Sequence, residues 1–285
     1  MKKKLTVITG GSSGLGYAAA WCMAHETTLV LCARGEKKLE HAKKELEAYG
    51  ADVITYALDA SDAAATKKAA EEISKMGDIV NVIHTAGVSP ANTARDDILR
   101  INVLGPIHVV EAFYPYLASG GVCILFGSTA GYVLDTDEGK GALRQALHQL
   151  YESWRSEDFI DRLRAFLSDT MKLPEAHQAG MAYCISKRFV RYFTIANVKR
   201  FAQKNCRILS VSPGSYLTPM HQALIDNSQA SAERAMAGIP LERWGHPYEM
   251  GKLIAFLCSS GAGYLTGVDI LADGGCSFAG SVTQI

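Results

Sequence analysis

Residues 9–16 read TGGSSGLG, between an apolar run, LTVI at 5–8, and a stretch of helical character, YAAAWCMAH at 17–25. Glycines at 10, 14 and 16 let the backbone turn sharply, approach a ligand closely and present amide N–H groups from the start of a helix. A diphosphate is the group that such a strand–turn–helix holds well. The spacing is Gly-x-x-x-Gly-x-Gly rather than the commoner Gly-x-Gly-x-x-Gly, and a plain glycine-rich turn has the same composition. Residues further along the chain have to decide between the two.

Outward from this loop, the runs LTVITG, TLVLCAR, DVITYALD, VNVIHTAG, GVCILFGS, NCRILSVSPG and YLTGVDILADGG read as buried strands. Helical patterns at 17–25, 36–49 and 63–75 lie between the early ones. Strands alternating with helices predict an α/β fold: a Rossmann-type, doubly wound, seven-stranded parallel sheet in one domain over 1–285. The rhythm breaks between Ser128 and Tyr183. Apolar residues recur there at Leu143, Leu147, Leu150 and Trp154, then at Phe159, Leu163, Phe166 and Leu167, as on two amphipathic helices. The span is too long for a plain connection, so a helical insertion is predicted at 135–178, before the helix that carries Tyr183 and Lys187.

The chain has 285 residues, 48% of them hydrophobic, with 29 Lys and Arg against 29 Asp and Glu. That balance offers no basic field for nucleic acid or an anionic lipid surface. The apolar run from Leu5 to Ile8 is far too short for a secretory core or a membrane span. Seven scattered cysteines without a Cys-x-x-Cys arrangement predict neither a disulfide framework nor a metal site, and fit a reducing cytoplasm.

The end of the second strand decides what the glycine loop holds. In a dinucleotide fold an acid there takes the ribose 2′-OH of NAD, whereas an arginine accommodates the 2′-phosphate of NADP. This chain has Ala33 and then Arg34, with no acid, which predicts NADP(H) in preference to NAD(H). The chain resembles the short-chain dehydrogenase/reductase family from Leu5 to about Gly275, through motifs in a fixed order. After the glycine loop come LDA with Asp59, TAG at 85–87, INVLG with Asn102, GS with Ser128, Tyr183-x-x-x-Lys187, SPG at 212–214 with Thr218, and ADGG.

The resemblance implies a catalytic set of Asn102, Ser128, Tyr183 and Lys187. It implies a cofactor site in which Gly10, Ser12, Ser13, Gly14, Leu15 and Gly16 form the loop. Arg34, Asp59 and Ala60 would lie at the adenine end, Ala86 and Gly87 along the cofactor, and Pro213, Gly214, Tyr216 and Thr218 at the nicotinamide, with Tyr183 and Lys187 touching it too. One departure is His84-Thr85 where the family has two asparagines; a partly buried histidine satisfied by backbone groups is expected there. The insertion resembles that of a bacterial 3α-hydroxysteroid dehydrogenase/carbonyl reductase subgroup, which commonly uses NAD(H), so Arg34 departs from it.

The residue chemistry agrees with that set. A free tyrosine has a pKa of about 10, and an ammonium one helical turn away, as in AYCISK at 182–187, stabilises the phenolate. Such a pair alone also occurs as two surface side chains. Ser128 at a strand end can hydrogen-bond a substrate oxygen, and Asn102 can shape the Lys187 side or anchor a water. Residues 215–243 fall where the family has a lid, and Met220, Leu224, Ile225, Met236 and Ile239 would give it an apolar surface. An apolar alcohol or ketone is predicted, a hydroxysteroid or bile acid first; a 3-oxoacyl thioester or a general carbonyl compound is the alternative, and a non-catalytic dinucleotide sensor a remote one. In the family the helix carrying Tyr and Lys packs against its copy in another subunit, and an insertion just before it, with two apolar stripes that need a partner, would cover or rebuild that interface, so the resemblance implies a homo-oligomer, a dimer rather than a tetramer.

Overall fold

Seven strands form one parallel sheet: β1 (Lys4–Thr9), β2 (Thr28–Ala33), β3 (Val53–Ala57), β4 (Asp78–His84), β5 (Leu117–Phe126), β6 (Arg207–Pro213) and β7 (Asp269–Ala272). Their spatial order is β3-β2-β1-β4-β5-β6-β7, so the winding reverses between β1 and β4. The computed structural model describes residues 2–135, 140–227 and 229–278, with the side chains at 223, 224, 227, 229 and 231 outside that description. Leu224, expected on the apolar surface of the lid, is therefore among the side chains outside the described residues.

The helices are α1 (Gly14–Cys22), α2 (Glu36–Ala48), α3 (Ala63–Ile73), α4 (Arg95–Leu99), α5 (Gly105–Phe113), α6 (Gly141–Glu152), α7 (Phe159–Ala165), α8 (Glu175–Gln203), α9 (Pro219–Asn227), α10 (Gln229–Ala237) and α11 (Pro247–Cys258). Side chains alternate across the pleat, so Leu5 and Val7 of β1 face one core and Ile8 faces the other. The first core holds Ile73 of α3, Phe113 of α5 and Phe189 of α8; the second holds Ala19 of α1, Leu39 of α2 and Ile254 of α11. This is the doubly wound arrangement that the alternating sequence predicts. Helix α1 starts at Gly14, three residues before the expected Tyr17, because the glycine loop itself enters the helix. Among the described residues no helix is long and apolar enough to cross a membrane.

The insertion folds as α6 and α7, followed by a π-helical turn at Phe166–Thr170. Leu147, Trp154, Phe159, Leu163, Phe166 and Leu167 are all buried in the same core as Phe189 and Phe193 of α8, while Leu143 and Leu150 are partly buried against it. Tyr151 meets Phe189 edge-on at 5.3 Å, and Trp154 meets Phe193 edge-on at 4.8 Å, the geometry favoured by opposed ring quadrupoles. The stripes that point to a second subunit in the sequence are thus covered by α8 of the same chain.

Candidate active site

The predicted residues follow the C-terminal ends of successive strands, where open α/β sheets bind ligands. Gly10 follows β1 with φ +78°, and Gly14 has φ +58°, both in the left-handed region that glycine adopts without strain. A Cβ at Gly10 would stand 2.9 Å from the Ala86 nitrogen, so the loop lies directly on the end of β4. Ser13 caps α1 in extended conformation without a side-chain capping bond, and no acid sits in the first turn. The N-terminal amides of α1 therefore remain available to an anion.

Beyond β2, Arg34 is exposed and lines a cavity of about 450 Å³ together with Lys38, Asp59, Ala60 and Ser12. Asp59 accepts from the Ser61 backbone nitrogen at 2.9 Å and from its hydroxyl at 2.7 Å. Burial works to raise its carboxyl, but these bonds and the charges of Arg34 and Arg100 outweigh it and hold the group below its ordinary value. Lys38, one turn into α2, was not singled out in the sequence; its position four residues after Arg34 at a helix start is the signal that could have found it.

A second cavity, of about 660 Å³, runs from the glycine loop past Ala86 and Gly87 to Ser128, Tyr183 and the 213–221 segment. Each residue of the predicted cofactor set lines one cavity or the other, and Gly10, Ser13, Ala86 and Gly87 line both. Left-handed glycines, open amides and a cationic end suit a dinucleotide phosphate.

Ser128 follows β5 and accepts from the Ala130 nitrogen at 3.2 Å, opening a short 3₁₀ turn at Thr129–Tyr132. That turn is seated on α8, since a Cβ at Gly131 would lie 2.9 Å from the Lys187 carbonyl carbon. The seating brings Ser128 within hydrogen-bond reach of Tyr183. Burial pushes the Tyr183 phenol up and the Ser128 hydrogen bond pulls it down, leaving it above its ordinary value. This is the reverse of the direction read from the Tyr–Lys spacing. The Lys187 ammonium lies 5.7 Å from the Tyr183 ring centre and donates to the Phe126 carbonyl at 3.0 Å, and burial pushes it down to about 8.

Asn102 lines neither cavity. It sits in a π-helical turn at Arg100–Leu104, accepts from the Val88 nitrogen and donates to the Val88 carbonyl, both at 2.9 Å. Its carboxamide is also near Lys187: a Cβ at Gly87 would stand 3.2 Å from the Asn102 Oδ1 and 3.4 Å from the Lys187 Nζ. Asn102 thus shapes the Lys187 side through the 87–88 backbone.

His84 differs from its expectation. It is 2% exposed rather than partly buried, and its Nδ1 pairs with the Thr9 hydroxyl at 2.7 Å, a side chain and not a backbone group. The ring points between β4 and α5, where a Cβ at Gly105 would meet it at 3.5 Å. Burial, with the nearby Lys187 charge, pushes it down to about 3, so it stays neutral. Thr85, in place of the second asparagine, donates to the Thr9 carbonyl at 2.8 Å.

The lid also differs in part. Met220 lines the large cavity, as does His221, but Ile225, Met236 and Ile239 do not. Ile239 is buried toward Gly274, where a glycine Cβ would stand 2.7 Å from it. Residues not singled out in the sequence, Val88, Ser89, Pro90 and Ala91 among them, line the same cavity.

A family model described as short chain dehydrogenase matches residues 4–157, and one described as Enoyl-(Acyl carrier protein) reductase matches residues 168–277. The chain is 29% identical over 279 residues to short-chain dehydrogenase/reductase bsc3 of Alternaria brassicicola, covering 95% of this chain and 94% of that protein. It is 26% identical over 286 residues to 3-oxoacyl-[acyl-carrier-protein] reductase FabG of Thermotoga maritima, covering 96% and 98%. Pseudomonas aeruginosa RhlG, solved as an active-site complex with NADP, matches with a TM-score of 0.72 at 22% identity over 97% of each chain, a likeness that shows the fold.

Proposed function

The chain belongs to the short-chain dehydrogenase/reductase family, and on that premise we propose that it interconverts a secondary alcohol and a ketone with NADP(H), in preference to NAD(H), on an apolar substrate of the hydroxysteroid or bile-acid kind. The observation that carries the reading is the convergence of Ser128, Tyr183 and Lys187 on one wall of the 660 Å³ cavity. Arg34 and Lys38 at the far end of the nucleotide path, with no acid at the end of β2, support NADP(H). Val88, Pro90, Ala91, Ala130 and Met220 give the substrate end an apolar lining.

A bound nicotinamide cofactor supplies or accepts the hydride. The protein's part is the proton. Tyr183, kept protonated by burial, donates from its hydroxyl to the ketone oxygen during reduction, and Ser128 holds that oxygen by a hydrogen bond. Lys187 then stabilises the tyrosinate, and its depressed pKa near 8 makes it a ready proton carrier close to neutral pH. Asn102 keeps Gly87 and Val88 in place beside the ammonium. Alcohol oxidation follows the same path in reverse.

FabG favours a second reading, reduction of a 3-oxoacyl thioester. A carrier-protein substrate calls for free cations near the cleft. Lys187 is buried, however, and Arg188 and Arg191 are both committed to Asp135, which weighs against that reading. Initial rates with a panel of oxo-steroids, simple ketones and a short 3-oxoacyl thioester, each with NADPH and NADH, decide the matter. Selective turnover of one steroid with NADPH is the expected result; thioester turnover with silent steroids would overturn it.

A further inference from the structure

The insertion takes no part in proton transfer, yet it reaches the substrate wall. Residues 88–94 run without helix or strand between β4 and α4, and Val88, Ser89, Pro90 and Ala91 among them line the cavity. One end is fixed by the two Asn102–Val88 hydrogen bonds, each 2.9 Å. The other end enters α4, which has five residues and no side-chain cap at Ala94. That helix continues without a break through the π-helical turn at Arg100–Leu104 into α5, but its first turn has no cap at Ala94, so its start is not held from within.

One side chain from the insertion, Arg164 of α7, and one from the first turn of α8, Gln178, hold it instead. Arg95 donates from Nη1 to the Gln178 Oε1 at 2.5 Å, and Gln178 donates in turn to the Leu173 carbonyl at 2.9 Å. Gln178 is 7% exposed, so the donor–acceptor chain runs through a largely dry site where a lost partner is costly. The Arg164 Nε lies 3.1 Å from the Asp96 Oδ1 in a more open position, where screening weakens the pair.

We propose that the insertion, together with the first turn of α8 into which it leads, is a specificity element: through Arg164–Asp96 and Gln178–Arg95 it anchors residues 88–94 and sets the room available to a large substrate. Reacting groups displaced by about 1 Å lose on the order of a hundredfold in rate, so a loosened wall reads out strongly in selectivity. Arg95, Gln178, Arg164 and Asp96 are positioning residues, since none of them lines the cavity.

The test uses the full chain carrying Gln178→Ala, Arg164→Ala, or the charge-keeping Arg164→Lys. Hydrogen exchange of the 88–94 backbone should quicken by about tenfold in Gln178→Ala and by less in Arg164→Ala, with residues 10–16 unchanged, and stay near the wild-type rate in Arg164→Lys. The ratio of kcat/KM between a bulky and a small ketone should fall by about three- to tenfold while the Kd for NADPH holds. Unchanged exchange in both alanine variants overturns the anchor. Faster exchange with equal losses on both ketones overturns the specificity role. The inference rests on the ketone-reducing reading only for the second readout: a wild-type chain that turns over no ketone refutes that reading, and the exchange rates still decide the anchor. If Gln178→Ala does not fold, Arg164→Ala set against Arg164→Lys carries the decision.

Discussion

The nucleotide end and the substrate end of the cleft are built by different means. The first is made of strand ends and backbone: Gly10, Ala86 and Gly214 follow β1, β4 and β6, and steric fit holds them, with a Cβ at Gly214 standing 2.7 Å from the Asp273 Cα. The second is made of side chains on a loop and a lid, backed from outside the cavity by the insertion and tied by contacts such as Arg95–Gln178 that join positions 83 residues apart. A sheet positions the first as it forms, whereas the second depends on pieces that fold onto it. Chemistry common to the family fits the first, and substrate choice fits the second.

The largest expected effect breaks the chemistry while leaving both ends standing. Tyr183→Phe removes one hydroxyl from a side chain that lines the large cavity beside Ser128 and Lys187. Turnover should fall by about 10³- to 10⁴-fold, the range of a lost general acid and its positioning. NADPH titration by fluorescence should give a nearly unchanged Kd. Retained turnover would contradict the proton-transfer role.

Trp154→Ala sharpens the comparison from the substrate side. The indole is 7% exposed and edge-on to Phe193, so its removal should cost about 3–5 kcal/mol of stability. Denaturant unfolding measures the loss. Below the transition, cofactor affinity should hold while turnover of bulky substrates drops. Equal loss of NADPH affinity would show that the two ends are one cooperative unit.

Lys187 gives the boundary between the ends a pH signature. Its folded pKa, about 8, is lower than the ordinary 10.5 because of burial. The unfolded chain therefore binds more protons between these values, and stability rises with pH across that window. The contribution is complete above 10.5 and is lost as pH falls through 8, at roughly 1.4 kcal/mol per unit for a whole proton. Lys187→Met should remove this slope, so that the stability gained by wild type between pH 8 and 10.5 disappears from the difference between the two. A parallel pair of stability–pH curves would place the ammonium in water, contrary to its burial.

What the sequence made legible follows the same division. Continuous apolar runs and glycines that need left-handed φ leave local marks, so the seven strands, the glycine loop and the Tyr183–Lys187 helix could be read directly. The apolar stripes of α6 and α7 were legible as stripes, but a stripe does not say what covers it, and here that is α8. His84 was legible as a departure, not as a partner of Thr9, because hydrogen bonding across β1 and β4 depends on their register. The direction of the Tyr183 shift was missed because desolvation depends on surroundings that spacing within one helix does not report. The 88–94 wall carries no periodicity, so nothing local marked it.

The smallest expected effects lie at the outer rim of the nucleotide end, where charges act through solvent. Arg34 is exposed and makes no ion pair among the described residues, so it is free to meet a 2′-phosphate, and Lys38 stands beside it on the same cavity. Arg34→Asp replaces a cation with an acceptor for the ribose hydroxyl and should move the NADPH-to-NADH ratio of kcat/KM by about 10- to 100-fold toward NADH. Lys38→Ala removes only a second, more mobile charge and should raise the KM for NADPH by a few-fold, leaving NADH unaffected. Both differences should shrink as salt rises, since exposed charges are screened within about 10 Å at 0.1 M ionic strength. Steady-state kinetics at two salt concentrations separate the outcomes. An unchanged preference in Arg34→Asp would mean that the end of β2 does not face the 2′ position of the cofactor, and the rim would then belong with the parts of the cleft that strand order alone does not place.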